Sequence, residues 1–349
     1  MSGRGPRGAS LAIALAGLVA LGGLAGCPSD GASGGDGGTA IDAGVDGTPC
    51  DPDRALAATP ELYIGPADLE RQVGAQIDGA TVSIDLQMYA FTLSGLANKL
   101  IAADRRGVAV RVLLDQTQSA ANNNVKNMLA GAGVDVKWAP ATFPAAHAKY
   151  LVVDRDTAMF MSGNLTVAGM VDQRNAGLVD RDPTDVADLA TIFAADWAGT
   201  TPTLSCPRLV ISPADARTRV LGLIGAARTT LDVEVYYIAD IGVRTAIVAA
   251  KNRGVAVRVI LSEPSEVSDN GATATALKTA GVPVRMLANP VPHIKLIVAD
   301  GQAALIGSHN MSSTSLRDNR EIGEIVRTPA VVTALRTRVD GDWALATPW

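Results

Sequence analysis

Histidine, cysteine and aromatic side chains are scarce in this 349-residue chain: three histidines, three cysteines and 4% aromatics. Three cysteines exclude a dense disulfide scaffold and a four-cysteine zinc site. With so few aromatics, a core must be built from aliphatic side chains. Hydrophobic residues make up 48% of the chain and charged residues 19%, enough for a real core and against wholesale disorder. A basic excess is also missing. Thirty Lys and Arg against 35 Asp and Glu give a net charge of −5, so composition does not describe a broadly basic polyanion binder. The apolar run at residues 11–24 falls short of the about 20 residues that a membrane-spanning helix needs. The length itself suggests two domains or one large one. With only three histidines, the position of each carries information.

What is there begins with an address. Arg4 and Arg7 precede the apolar run, no acid stands before it, and it ends in small residues, which reads as a secretory signal over residues 1–26. Leu24-Ala25-Gly26-Cys27 resembles a bacterial lipobox. That resemblance implies cleavage before Cys27, lipidation of Cys27 and a membrane anchor. In lipoprotein sorting an aspartate after the lipidated cysteine favours retention in the inner membrane. Pro28 stands there instead, which points to an exported lipoprotein of the outer membrane or cell surface. Residues 27–56 are rich in Gly, Asp, Ser, Thr and Pro, without period, and read as a flexible tether. Six aspartates against Arg54 give residues 28–56 a charge of −5, and Arg4 and Arg7 add +2, so the rest of the chain carries only −2 of the total −5. Cys50 and Cys206 remain; in an exported protein they either form one disulfide or stay as two thiols.

The rest of the chain is a repeat. Ile64-Gly65-Pro66-Ala67-Asp68 returns as Ile211-Ser212-Pro213-Ala214-Asp215, an offset of 147 (211 minus 64). The seven residues from Arg106 to Val112 return unchanged from Arg253 to Val259. Residues 57–205 and 206–349 are therefore two copies of one domain. In each copy strand-like runs (81–91, 108–114 and 149–153; 230–238, 255–261 and 295–298) alternate with helical spacing (96–106; 241–253) closed by Gly107 or Gly254. Thr328-Pro329 is expected to cap and open a last helix. The fold class is α/β, with a mostly buried sheet flanked by helices in each copy.

Two of the three histidines fall at equivalent places. His147-Ala148-Lys149 is followed by Asp154, and His293-Ile294-Lys295 by Asp300; Ser162 and Asn164 lie downstream of the first, Ser308 and Asn310 of the second. Residues two apart on a strand face the same side, so each histidine and its lysine point together. Imidazole can act as nucleophile, acid or base near neutral pH. Ammonium and amide groups donate to the non-bridging oxygens of a phosphate. No cluster of metal ligands is evident there, and the lysines would repel a cation. A phosphodiester suits such a site, with no metal and no cofactor.

The doubled His-x-Lys-x4-Asp pattern, each with Ser-x-Asn behind it, resembles the phospholipase D superfamily over about residues 60–349. The second copy carries Gly307 before Ser308, whereas the first has Met161, which puts local geometry there in question. The resemblance implies two phospholipase D-like domains, each a mixed sheet flanked by helices. A pseudo-twofold relates them, with the active site at their interface, and a monomer suffices because one chain holds both motifs. It implies His147 as nucleophile through a phosphohistidine and His293 as acid and then base. Lys149, Lys295, Asn164 and Asn310 hold developing charge. Asp154 and Asp300 belong to the catalytic motif, with structural hydrogen bonding expected ahead of proton transfer. Ser162 and Ser308 either bind phosphate or cap a turn. Family members often orient histidine with a downstream acid. Glu321 lies 28 residues after His293 (321 minus 293), and Asn175 stands 28 after His147 (175 minus 147). The expectation is that Glu321 favours an imidazolium at His293, so that the two histidines are unequal. His309 is expected to be structural, Arg174 and Arg320 to form ion pairs each inside its own copy, and Tyr89, Tyr236, Trp197 and Trp343 to be core. The implied activity is cleavage or transfer of phospholipid headgroup esters. The alternatives are a metal-independent endonuclease acting on nucleic acid and a binding protein with a decayed site.

Overall fold

A computed structural model describes residues 50–349. The signal, Cys27 and most of the expected tether lie outside the described residues. Among the described residues no helix is long and apolar enough to cross a membrane.

The alternating and β-branched runs form the expected strands. The first half supplies β1 (Glu61–Ile64), β2 (Ser83–Met88), β3 (Ala109–Leu114), β4 (Asp135–Trp138), β5 (Tyr150–Val153), β6 (Thr157–Met161), β7 (Gln173–Arg174) and β8 (Ala176–Asp180). The second supplies β9 (Leu209–Ser212), β10 (Thr230–Val235), β11 (Ala256–Ser262), β12 (Val284–Leu287), β13 (Val291–Pro292), β14 (Lys295–Ala299), β15 (Ala303–Gly307), β16 (Glu321–Val326) and β17 (Thr347–Pro348). The seven-stranded sheet runs β1-β8-β6-β5-β2-β3-β4, and the eight-stranded sheet runs β17-β12-β11-β10-β14-β15-β16-β9. Both are mixed. β2, β3 and β4 are parallel, as are β10, β11 and β12, while β5 and β14, which directly follow the two histidines, join β2 and β10 antiparallel. The repeated arginine has a structural use here: Arg111 pairs with Asp85 across β3 and β2 at 2.7 Å, and Arg258 with Asp232 across β11 and β10 at 2.6 Å.

The helices are α1 (Leu69–Gly79), α2 (Ser94–Arg105), α3 (Ser119–Gly131), α4 (Pro183–Ala198), α5 (Ala216–Ala226), α6 (Ile241–Asn252), α7 (Asp269–Thr279), α8 (Ser313–Arg317) and α9 (Pro329–Leu345). Gly107 and Gly254 follow α2 and α6 at φ 91°, the left-handed geometry that lets the chain turn directly into the next strand. Asp182 caps α4 by accepting from the backbone N–H of Thr184 and Asp185, with Pro183 in the first turn. Thr328 holds the same place before α9 but makes no side-chain cap, so Pro329 alone marks that start.

Strand alternation splits the apolar residues between layers. Tyr150, Val152, Phe160 and Leu178 face a central core that also takes Val186, Leu189 and Phe193 of α4, Leu335 and Val339 of α9, and Leu296 and Ile306 of the second sheet. The opposite faces, such as Leu151 and Met159, pack on α1 to α3, and Val233 and Ile297 pack on α5 to α7. The central core is thus shared by both halves. Each large apolar side chain buried there contributes about 1.5–3 kcal/mol.

The last stretch of the expected tether is fixed to the body. Cys50 and Cys206 form a disulfide. Arg54 donates to Cys206 O at 3.0 Å and to Asp185 at 3.3 Å, and Ala57 N–H donates to Asp182 at 2.9 Å. The order of residues 50–57 therefore comes from the disulfide and these bonds, not from a local element of their own.

Candidate active site

Short strands cross between the halves and build the site. β7 lies parallel to β13, pairing Arg174 with Pro292, the residue before His293. At the equivalent place Ala148 N–H donates to Arg320 O at 2.8 Å, and Arg320 N–H donates to Ala145 O at 3.0 Å, on either side of His147. Each half therefore lays the segment downstream of its own motif against the other half's histidine.

This corrects the expected pairing. His147 Nδ1 lies 2.8 Å from Glu321 Oε2, so the carboxylate backs the first histidine and not the second. His293 Nδ1 lies 3.1 Å from Asn175 Oδ1. The partners sit 28 residues after the wrong histidine because the crossing is set by docking of the halves, which intervals along the chain do not encode. The inequality survives with its sign reversed: His147 is the histidine with the anion. The arginines before these residues cross in the same way. Arg174 grips Asp342 at 2.8 and 3.1 Å, and Arg320 grips Asp196 at 2.9 Å through both nitrogens. Both ion pairs were expected inside a single copy, and both instead bolt one copy to the other. Contacts that exchange between equivalent positions are the mark of a pseudo-twofold.

Around His147 the support is dense. Glu321 Oε1 accepts from Ser315 Oγ at 2.5 Å and from Asn319 Nδ2 at 3.4 Å, which leaves Oε2 for the imidazole. Asp115, at the end of β3, accepts from Ala146 N–H at 2.5 Å. Tyr89 lies edge-on to His147 with ring centroids 4.5 Å apart, and Gln118 donates to its hydroxyl at 2.8 Å. His293 has Tyr236 at 5.0 Å, but Ser262 stands where the first half has Asp115. Ser262 donates to Tyr236 O at 2.6 Å rather than bracing the histidine loop. Lys149 and Lys295, almost wholly buried, donate to the carbonyls of His147 and His293.

Burial shapes the electrostatics. His147 is pushed below the usual histidine value by burial, which outweighs the opposing Glu321 carboxylate. His293 falls well below it through burial, then Lys295, Lys149 and His147. Burial also lowers Lys149 to about 7 against Glu321 and Asp115, and takes Lys295 well below its ordinary value. Burial works upward on Glu321, but His147 and Lys149 hold it at about 2, so it stays ionised. His293 Nδ1 has two neighbours, the accepting Asn175 Oδ1 at 3.1 Å and Lys295 Nζ at 3.2 Å. Burial and mutual repulsion thus favour proton loss from these histidines and lysines, and a phosphate anion beside them would oppose it.

Several expectations change. Asp154 and Asp300 do not join the histidines. Each sits at positive φ (51° and 55°) at the far end of its strand. Asp154 is saturated by the N–H groups of Thr81, Val82 and Ser83, and Asp300 by those of Arg228, Thr229 and Thr230. They fix turns, the structural role expected ahead of proton transfer for both. Ser162 donates to Asn175 Oδ1 at 2.7 Å and accepts from Ala176 N–H at 3.0 Å; Ser308 donates to Ile322 O at 3.2 Å and accepts from its N–H at 3.1 Å. Both hydroxyls hold the strand that carries a histidine's partner, and each spends its one donor there. Tyr89 and Tyr236 line the site instead of the core. Their repeat, both just past a strand end, was the signal that could have shown it.

Other expectations fit. Met161 N–H bonds to Lys149 O at 2.9 Å, with Gly177 opposite it in register, so Met161 is accommodated and Ser162 to Asn164 run on beside the motif strand. Asn164 Oδ1 and Asn310 Oδ1 are buried with no protein partner, which bears on an acceptor and not on the N–H groups expected to meet a phosphate. Trp197 and Trp343 pack on the central core. His309 is fully buried with neither nitrogen bonded to protein, and burial takes it to about 4, so it is neutral packing beside Gly323.

The family model described as "Cardiolipin synthase, PLD-like domain" matches this chain twice, at residues 73–197 and 220–343. A "Mitochondrial cardiolipin hydrolase" of Chlamydomonas reinhardtii is 27% identical over 126 residues, 36% of this chain and 56% of that protein. A "Phospholipase D" of Rickettsia felis is 34% identical over 114 residues, 33% of this chain and 56% of its own. The chain spans about half the length of these two curated relatives. The solved phosphatidylserine synthase of Haemophilus influenzae Rd KW20 shares the fold, with a TM-score of 0.67 at 11% identity over 83% of this chain and 87% of that one.

Proposed function

The chain belongs to the phospholipase D superfamily, and from that premise we propose that it is a phosphodiesterase acting on phospholipid headgroup esters, with His147 as nucleophile and His293 as acid and base. The observation that carries this reading is the crossed pairing: Glu321 backs His147 at 2.8 Å, and neutral Asn175 backs His293. A carboxylate on Nδ1 keeps the proton there, so Nε2 of His147 presents its lone pair, and it stabilises the positive charge that builds as the P–N bond forms. As Nε2 attacks phosphorus the bond to the leaving alkoxide breaks, and His293 gives that oxygen its proton. Water, or a second alcohol, then attacks the phosphohistidine. It returns a proton to His293 and breaks the P–N bond to free His147. Lys149, Lys295, Asn164 and Asn310 would offset charge on the non-bridging oxygens. Two lysines beside the reacting atoms take the place a cation would occupy, so the reaction needs no added metal.

A lipid substrate is supported by the nearly neutral body and by the lipid anchor read from Leu24 to Cys27. The Cys50–Cys206 disulfide suits an oxidising compartment and so supports export. The test is product analysis with phosphatidylcholine, cardiolipin and single-stranded DNA, beside His147→Ala and His293→Ala. Released headgroup or phosphatidic acid that disappears in both variants is the expected result. Cleavage of DNA alone would make the protein an endonuclease, and no cleavage of any of the three would favour a binding protein. Acid-quenched phosphoenzyme should map to His147; phosphate on His293 would reverse the two roles.

A further inference from the structure

We propose that Asp180, Asp185 and Glu324, outside the catalytic cluster, form a site for a hard divalent cation of calcium's size that ties the two halves together beneath residues 50–57. Asp180 ends β8 in the first half, Asp185 lies in the first turn of α4, and Glu324 is on β16 in the second half. All three are at most 1% exposed. One oxygen from each lies within 4.8 Å of the other two. Oxygens sharing one calcium at about 2.3–2.6 Å can stand no more than about 5 Å apart, so the three fit a single ion. A dry carboxylate cage suits calcium better than magnesium, which keeps its waters.

The oxygens without partners point the same way. Arg208 Nε takes Asp185 Oδ2 at 2.8 Å, and its NH2 takes Glu324 Oε1. Asp182 N–H takes Asp180 Oδ1 at 2.8 Å. Glu324 Oε2 and Asp180 Oδ2 are left buried with no protein partner. Buried polar atoms rarely stay unsatisfied, and neighbouring buried carboxyl oxygens need either a proton or a cation to satisfy them. Charge is compatible with that. Carboxyl groups outnumber guanidiniums here: Asp180, Asp182, Asp185 and Glu324 are buried together, and only Arg54 and Arg208 pair with Asp185 and Glu324, so a dication would offset the excess that protons otherwise must. Asp185 also holds Arg54, and Asp182 holds Ala57, so the ion would set the anchor points of the segment that leads to the disulfide.

The test is calorimetric titration of the chelator-dialysed full chain with calcium chloride, with thermal melts in parallel. One equivalent of binding heat and a Tm increase of about 2–5 °C at saturation are expected. Glu324→Gln changes one atom and keeps the Arg208 contact, and should weaken calcium binding about 10-fold or more, as should Asp180→Asn. Asp68→Asn, on the surface, should leave binding unchanged. No heat and no Tm change up to about 10 mM calcium would overturn the proposal, and shared protons would then hold the carboxyls. Equal binding in wild type and Glu324→Gln would overturn it too, by placing calcium elsewhere. None of these measurements depends on catalysis.

Discussion

Replacing Asn175 by aspartate would place an anion behind His293 and so tests whether its neutral partner sets the pH range of the reaction. The amide oxygen lies 3.1 Å from His293 Nδ1, so the charge centres would stand about 4 Å apart. At an effective dielectric of about 20 that is about 4 kcal/mol in favour of the imidazolium. Burying a new carboxylate takes back part of it, leaving a rise of about 1–2 pKa units. The sign follows from the role. As the proposed acid, His293 must hold a proton in the free enzyme, so kcat/KM falls as pH rises through its pKa, which burial and Lys295 keep well below the usual histidine value. The variant should carry that alkaline fall upward by about 1–2 pH units, towards the limit set by Lys149 at about 7. There is a structural cost as well. Asn175 Nδ2 donates to Gly169 O at 2.9 Å, and aspartate would turn an oxygen on that carbonyl, losing about 1–3 kcal/mol of stability. Initial rates on a phosphodiester between pH 5 and 9, with a denaturant titration of the same variant, measure both effects. An alkaline fall that stays in place, or moves to lower pH, would refute the assignment of His293 as the acid.

Other outcomes follow from the same contacts. Glu321→Gln should reduce kcat about 10- to 100-fold or more, with little change in KM, because it removes the anion behind His147, the proposed nucleophile; unchanged kcat would deny that role. Glu321 also links stability to pH. Its pKa falls from 4.5 unfolded to about 2 folded, so its contribution is complete above pH 4.5 and drains away as pH drops towards 2. Acid melts of Glu321→Gln should therefore be flatter in that window. Arg320→Ala strips the partner from buried Asp196 and should cost about 3–5 kcal/mol in denaturant unfolding; a loss under about 1 kcal/mol would contradict a bolt between halves. Cys50→Ser should cost up to about 5 kcal/mol, since the disulfide closes a span of 156 residues. Chelator should leave initial rates at 25 °C unchanged, and full inhibition reversed only by a metal would refute a lysine-assisted mechanism.

Much of this protein is legible in the order of its residues. The 147-residue repeat, the two buried sheets and the doubled His-x-Lys motif rest on local rules: period-two alternation, glycine turns, and identity between copies. Those rules act between neighbours in the chain, so they reach as far as His147 beside Lys149 and His293 beside Lys295. They stop at contacts between halves. Which histidine receives Glu321, which aspartate receives Arg174 and which cysteine meets Cys50 depend on how two sheets dock over a shared core. Asp154 belongs to the motif in sequence but faces a turn, because a short strand separates it from His147. Tyr89 ends a strand and turns into the cleft, where alternation alone would have left it in the core. The buried carboxylates Asp180, Asp185 and Glu324 are scattered along the chain and meet only after docking. The sequence by itself determined the chemistry that is present and its twofold repetition. The tertiary structure decided the pairing, because a pseudo-twofold exchanges partners between copies that are identical in spacing.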